Sequence, residues 1–294
     1  MKKTKKNSVW GTRMKKPVSS ILQNINSSIE TDKRLFEEDI AGSIAHCTML
    51  SKQKIIDKKK SQKIIQGLKK IKKEIFKKNF KFQIKNEDIH LNIEKRLFDI
   101  IGTDAGFLHT ARSRNDQVTT DFKIWIKKST KVLQKQIIIL IKSFVNLAEN
   151  NINVIMPGFT HLRNAQPVLF SHYLLAYVEM FKRDYQKFEN TITNLDQNPL
   201  GSGALAGTSY NIDRNLTSKL LNFKEPTKNS IDSVSDRDYV IEFLFASSLC
   251  SMHLSRFTEE IIIWNSELAN LISIEDNMLT GSSMMPQKKK SRFC

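Results

Sequence analysis

The sequence predicts a mainly α-helical fold in which an N-terminal helical domain precedes a bundle of long helices. Three observations carry that prediction. Long spans lack both Gly and Pro, apolar residues recur within them every seven residues, and alternating β-branched runs bounded by turn residues are scarce.

Residues 1–106 read as shorter helices. Between Lys52 and Lys85, Ile64, Ile65, Leu68, Ile71, Ile75 and Phe76 recur at helical spacing among many lysines, which predicts an amphipathic helix with a solvated basic face. In "NEDIHLNIEKRLFDIIG", Asn86 is expected to cap a helix beginning at Glu87, and Gly102 to end it.

The bundle is assigned to residues 107–289. Its first long span, Val118 to Met156, carries Ile126, Leu133, Leu140 and Leu147 in one row, with Ile137 and Phe144 on the adjoining stripe. The second follows Pro167, with Leu174, Phe181, Phe188 and Leu195 in one row and Val178, Tyr185 and Ile192 in the other; Pro199 and Gly201 close it. The third runs from Thr227 to Thr280, with rows Phe243, Cys250, Phe257, Trp264, Leu271 and Val240, Leu254, Ile261, Leu268. Apolar seams this long need partners on several sides, so oligomerisation is expected as well as packing within the chain.

At 294 residues with 40% hydrophobic content, the chain is long enough to bury an enzyme-sized core. No apolar run approaches bilayer-spanning length, so no membrane partner is expected. The basic start "MKKTKK" is followed by no apolar segment of a secretory signal, so a cytoplasmic location is expected. Cys47, Cys250 and Cys294 are odd in number and widely spaced, which argues against a disulfide framework or a thiolate metal site. The formal charge of +17 would attract polyanions, yet the lysines concentrate on the amphipathic helix; no specific nucleic-acid partner is expected.

Polar segments fall at the predicted helix ends. "TARSRNDQ" (Thr110 to Gln117) suits either a capped helix N-terminus, with Asn115 or Asp116 serving backbone donors, or an anion site built on Arg112 and Arg114. In "PGFTHLRNAQP", His161 follows Gly158 and Thr160 in a loop expected just before the Pro167 helix, where it is an acid–base candidate. "PLGSGALAGT" reads as a flexible turn, without the strand and lysine of a phosphate-binding loop. "GSSMMP" places two hydroxyls beside a glycine, with Lys288 and Lys289 following to stabilise developing negative charge. No Ser-His-Asp order, HExxH or Cys/His cluster supports nucleophilic hydrolysis or a metal centre.

Together, "VWGTRM", "SSIETDKRLFEEDIAGSIAH", "EDIHLNIEKRL", "LHTARSRNDQV", "LGSGALAGT", "VSDRDYVIEFL" and "TGSSMMPQKK" resemble the argininosuccinate lyases of the fumarase and aspartase superfamily. The "GSSxMPxK" loop is common to the superfamily, whereas "TARSRNDQ" and "EDIH" point to that one family. The resemblance implies reversible cleavage of argininosuccinate to arginine and fumarate in arginine biosynthesis, by a homotetramer without metal or organic cofactor. It also implies that Ser282 takes one proton-transfer role and that His161 takes or supports the other, with Lys288 helping to lower the serine pKa. Ser28, Asn115 and Thr160 match substrate-binding positions; Asp88, His90, Arg114 and Gln166 are supporting candidates, and Arg112 is a candidate carboxylate anchor.

Departures from the family pattern are few before the tail. Met14 stands where Phe is usual and Arg163 where Gln is common. From Lys290 the family loop would continue "KKNPD" and then a helix carrying "AEL", whereas this chain reads "KKKSRFC". One extra adenine in codons for Lys-Lys-Asn-Pro-Asp-Phe-Ala-Glu yields Lys-Lys-Lys-Ser-Arg-Phe-Cys and a stop, so residues 290–294 are expected to be out of frame. The resemblance then implies loss of a glutamate that pairs with the catalytic histidine, of later substrate-binding residues and of further bundle helices, and hence impaired activity of this chain alone; the alternative, a non-catalytic scaffold reusing the lyase fold, is disfavoured by the retention of His161 and Ser282.

Overall fold

A computed structural model describes residues 19–285 and the backbone of Lys289 and Lys290. Lys288, and the expected out-of-frame tail apart from the Lys290 backbone, lie outside the described residues. The chain forms two compact units. The first holds the described residues up to Ile126 and Asp196–Asp236; the second holds Lys127–Leu195 and the described residues from Arg237 onward.

In chain order, α1 (Ser20–Asn26), α2 (Ile29–Asp32), α3 (Phe36–Lys52), α4 (Lys58–Phe76) and α5 (Ile89–Ile101) belong to the first unit. Helix α6 (Arg114–Asn150) starts there and continues into the second, where β1 (Ile155–Thr160), β2 (Arg163–Leu169) and α7 (Phe170–Asn194) follow. The chain returns to the first unit for β3 (Gln197–Asn198), α8 (Arg214–Leu220), β4 (Glu225–Pro226) and α9 (Ser230–Ser235). Helix α10 (Asp238–Trp264), then β5 (Thr280–Gly281) and β6 (Lys289–Lys290), complete the second. The boundary expected near Gly106 therefore falls inside α6 at Ile126, because one continuous helix can serve two cores without a break in its own hydrogen bonds.

In the first unit, α4 buries Ile64, Leu68 and Ile71 against Leu50, Ile93 and Leu97 while Lys69 and Lys70 face water. That is the amphipathic arrangement its sequence predicts. Gly67 permits the close approach of α5, since a Cβ there would lie 2.5 Å from Leu97 Cδ1. Asp88, rather than Asn86, caps α5, its carboxylate accepting from Leu91 N at 2.7 Å. Asn86 instead donates inward to Asn92 Oδ1. Gly102 ends the helix as expected, with φ of +73°.

In the second unit, Leu174, Tyr177, Phe181 and Phe188 of α7 form an aromatic-rich core with Ile137 and Phe144 of α6 and Ala246 of α10. The predicted α10 row of Phe243, Cys250 and Phe257 packs against it, and Trp264 is also buried. In the companion row Leu254 and Leu268 are exposed. The third long helix stops at Trp264 rather than approaching Thr280, although no Gly or Pro intervenes. The Ser266 hydroxyl donates to Ile263 O at 2.6 Å and accepts from Ala269 N, and Asn270 takes a left-handed conformation with φ of +47°. Such local polar bonds compete with helix propagation. The second difference is the β1–β2 hairpin, which occupies the stretch expected as a loop and places Pro167 within a strand opposite Pro157.

Candidate functional site

The expected site residues divide between the two units. In the first, "TARSRNDQ" opens α6, and the Ser113 hydroxyl accepts from Asn115 N at 3.3 Å. Arg114 pairs with Asp88 at 3.1 Å and donates to Gln117 Oε1 at 3.0 Å. Ser28 is tied to the start of α5: its hydroxyl donates to Asp32 Oδ2 at 2.5 Å, and Asp32 Oδ1 accepts from Ile89 N. Burial raises the Asp32 carboxyl above its ordinary value, against the Ser28 hydrogen bond. Asn115 is exposed and donates through Nδ2 to Ala204 O at 2.9 Å.

Two of the candidates, the supporting residue His90 and the carboxylate anchor Arg112, are interior. His90 is 2% exposed, with Nδ1 2.8 Å from Asp39 Oδ1 and 3.5 Å from Asp121 Oδ2. Arg112 is also buried, donating to Ser43 Oγ at 2.8 Å and lying 3.7 Å from Glu94. A buried cation is stable only beside compensating charge. Here burial would raise Asp39, but His90, Arg112 and the Gln117 amide together hold it below its ordinary value. Asp121 moves the other way. Burial and the adjacent Asp39 push it well above, so it holds its proton while Asp39 is charged. Asp39, His90 and Asp121 have the ligand types for a metal ion and lie together in the buried interior of the first unit.

The glycine-rich "PLGSGALAGT" is a built turn rather than a flexible one. Asp116 is fully buried; its Oδ2 accepts from Gly201 N at 3.0 Å and Gly203 N at 2.9 Å, and its Oδ1 from Ser113 N. Arg214 holds the turn from its other side, donating to Leu200 O, Asn198 O and Ser202 Oγ.

In the second unit, His161 and Leu162 form the two-residue turn of the β1–β2 hairpin, both left-handed with φ of +51° and +59°. Mirror-image turns match strand twist but suit Asn and Gly better than His and Leu, so this turn carries backbone strain. A bulge follows Pro157, where Gly158 is required: a Cβ there would meet Gln166 O at 2.6 Å. The hairpin brings Thr160, His161 and Gln166 to the wall of one cavity of about 730 Å³, faced by Tyr173, Arg256, Glu260 and Trp264. Glu260 accepts from the hydroxyls of Tyr173 and Tyr177, and burial raises its carboxyl. Ser282 sits between β5 and β6, where its hydroxyl accepts from Met285 N at 3.3 Å. Gly281 pairs through its backbone with Lys289.

Sequence reasoning missed Asp39, Asp121, Glu260 and Arg214. The first had a signal: Asp39, Ser43 and His46 fall on one helical face with Leu50, so a carboxylate lies in a core row. Glu260 had none, because its tyrosine partners lie 83 and 87 residues away.

Residues 12–290 match the family model described as "Lyase". The chain is 58% identical over 290 residues to the argininosuccinate lyase of Pelagibacter ubique (strain HTCC1062), covering 98% of this chain and 63% of that protein. It is 55% identical to the argininosuccinate lyase of Ehrlichia canis (strain Jake), with 97% and 60% coverage. The chain thus spans about three-fifths of the length of the curated relatives it matches. Among solved structures, EDDS lyase in complex with formate superposes with a TM-score of 0.82 at 28% identity, over 88% of this chain and 51% of that one. A fumarate lyase:delta crystallin from Brucella melitensis shares the fold, with a TM-score of 0.74 at 17% identity over 90% of this chain and 63% of that one.

Proposed function

We propose, on the premise that this chain belongs to the Lyase family, that it serves the argininosuccinate lyase reaction: reversible elimination of argininosuccinate to L-arginine and fumarate in arginine biosynthesis. The observation that carries this reading is majority identity to argininosuccinate lyases over nearly the whole chain.

The chemistry explains the residue types. Removing a proton from the succinyl carbon beside a carboxylate creates an electron-rich aci-carboxylate, which positive groups and backbone donors stabilise before the carbon–nitrogen bond breaks. An acid then protonates the departing guanidino nitrogen. Ser282 and His161 carry these two proton transfers, the serine helped by neighbouring donors and Lys288. An unassisted hydroxyl is too weak a base. Asn115, Thr160 and Ser28 hold the substrate, with Asp88, Arg114 and Gln166 supporting them. Arg112 and His90 act from the interior, keeping Asp39 charged beneath the α6 start. The working form is a cytoplasmic homotetramer whose active sites draw segments from different subunits, so Asn115 and His161 serving one substrate need not belong to one chain.

A chimera tests the reaction. Residues 12–290 of this chain replace the matching part of the Pelagibacter ubique enzyme, and fumarate release is followed by ultraviolet absorbance. Equimolar fumarate and arginine from argininosuccinate, lost on Ser282→Ala, are the expected result. Turnover of adenylosuccinate with none of argininosuccinate would refute the reading.

A further inference from the structure

We propose that Asp116 is a positioning residue: with the turn from Gly201 to Ala204 it forms a clasp that orients the Asn115 amide, so that its carbonyl oxygen is offered to a nitrogen donor of the ligand. The inference rests on the reading that Asn115 touches substrate, and adds which substrate atoms it takes.

One buried carboxylate joins three backbone donors. Oδ1 of Asp116 accepts from Ser113 N at 3.0 Å, at the start of α6, while Oδ2 accepts from Gly201 N and Gly203 N. Both glycines are left-handed, with φ of +99° and +63°, which turns their N–H groups toward one oxygen. The turn has no room to relax: a Cβ on Gly203 would lie 2.5 Å from Gly207 O, and Gly207 N donates back to Ser202 O at 2.8 Å. With Arg214 holding Leu200 O and Ser202 Oγ, the Ala204 carbonyl is fixed relative to α6.

That carbonyl decides how Asn115 faces. A carbonyl only accepts, so the atom 2.9 Å from Ala204 O is the amide nitrogen of Asn115, and the amide oxygen points elsewhere. Asn115 is exposed, so its oxygen is available to a ligand. An acceptor in that position suits an amino or guanidino N–H and disfavours a carboxylate. The segment that suits either a capped helix N-terminus or an anion site thus carries, at its exposed Asn115, a receptor for the nitrogen-bearing end of the substrate.

The test uses the whole 294-residue chain for exchange and the Pelagibacter ubique chimera for binding, with L-arginine and fumarate as separate probes. Asp116→Asn keeps the side-chain shape but turns an NH2 group toward backbone donors. Amide exchange at Gly201 and Gly203 is expected to rise about ten-fold or more, and the Asn115 side-chain amide signals to shift, while exchange at Ile71 and Leu97 in the same unit stays constant. Gly203→Ala is expected to act in the same direction with Asp116 intact. Arginine binding is expected to weaken about ten-fold in both variants, and fumarate binding to change little. Unchanged glycine exchange and Asn115 signals would overturn the clasp. Altered signals with undiminished arginine binding would overturn the positioning role, as would failure of the unsubstituted chimera to bind arginine. Neither result touches the lyase reading, which stands or falls on turnover in the chimera.

Discussion

Asn115 and His161 belong to motifs of equal prominence in the sequence, yet the structure supports them in opposite ways. Asn115 stands on a buried polar framework: Asp116 gathers three backbone donors, Arg214 holds the adjoining turn, and Arg112 balances the interior carboxylates. His161 stands at the tip of a strained two-residue turn, carried by a hairpin ladder. The difference matches the tasks proposed for them. A binding group gains from being held in one orientation before the ligand arrives, whereas a proton-transfer group has to meet a reacting atom whose position changes along the reaction.

The largest expected effect tests whether the two supports are independent. Phe181 is fully buried and its ring meets those of Phe144 and Tyr177. Phe181→Ala should cost about 3–5 kcal/mol in the second unit, measured by urea unfolding. Native-state exchange should show protection lost in α7 and retained at Leu68 and Leu97. Equal loss in both units would make them one cooperative body.

Acid sensitivity comes next, and belongs to the polar framework. His46 is buried with Nε2 2.9 Å from Thr110 O; burial and the Arg112 charge hold it down to about 3 from an ordinary 6.5. Below pH 6.5 the unfolded chain takes up a proton that the folded chain refuses until about pH 3. The stabilisation is therefore complete above that window and lost as pH falls through it, on the order of a few kcal/mol in all. His46→Gln should flatten this acid limb in unfolding measured across pH; an unchanged limb would show that other groups set it.

Gly203→Ala should cost about 2 kcal/mol from left-handed strain and the Gly207 contact, read as a lowered urea midpoint. Leu162→Gly should do the reverse on a smaller scale, stabilising the hairpin turn by about 0.5–1 kcal/mol in the same measurement. A destabilising Leu162→Gly would show that the hairpin tip is held by more than its ladder.

Much of the fold was legible in the sequence. The apolar rows of α7 and the lysine face of α4 follow from periodicity, and Gly102 from helix-stop chemistry. The end of α10 was not, because the absence of Gly and Pro permits a helix without requiring one, and Ser266 and Asn270 settle it by local bonds. The β1–β2 hairpin lacked the Asn-Gly signal of its turn type. Within the candidate site, burial of Arg112 and His90 depends on Asp39 and Asp121 meeting from separate helices, which spacing along one segment does not encode.

The measurement that tests the contrast most directly is a kinetic comparison of Asn115→Ala and His161→Ala in the Pelagibacter chimera. Asn115→Ala should raise KM for argininosuccinate about ten-fold with kcat little changed, and His161→Ala should lower kcat by about 10²–10⁴ with KM little changed. The reverse assignment, with His161→Ala altering KM alone or Asn115→Ala abolishing turnover at saturating substrate, would contradict the division of labour argued from the two supports.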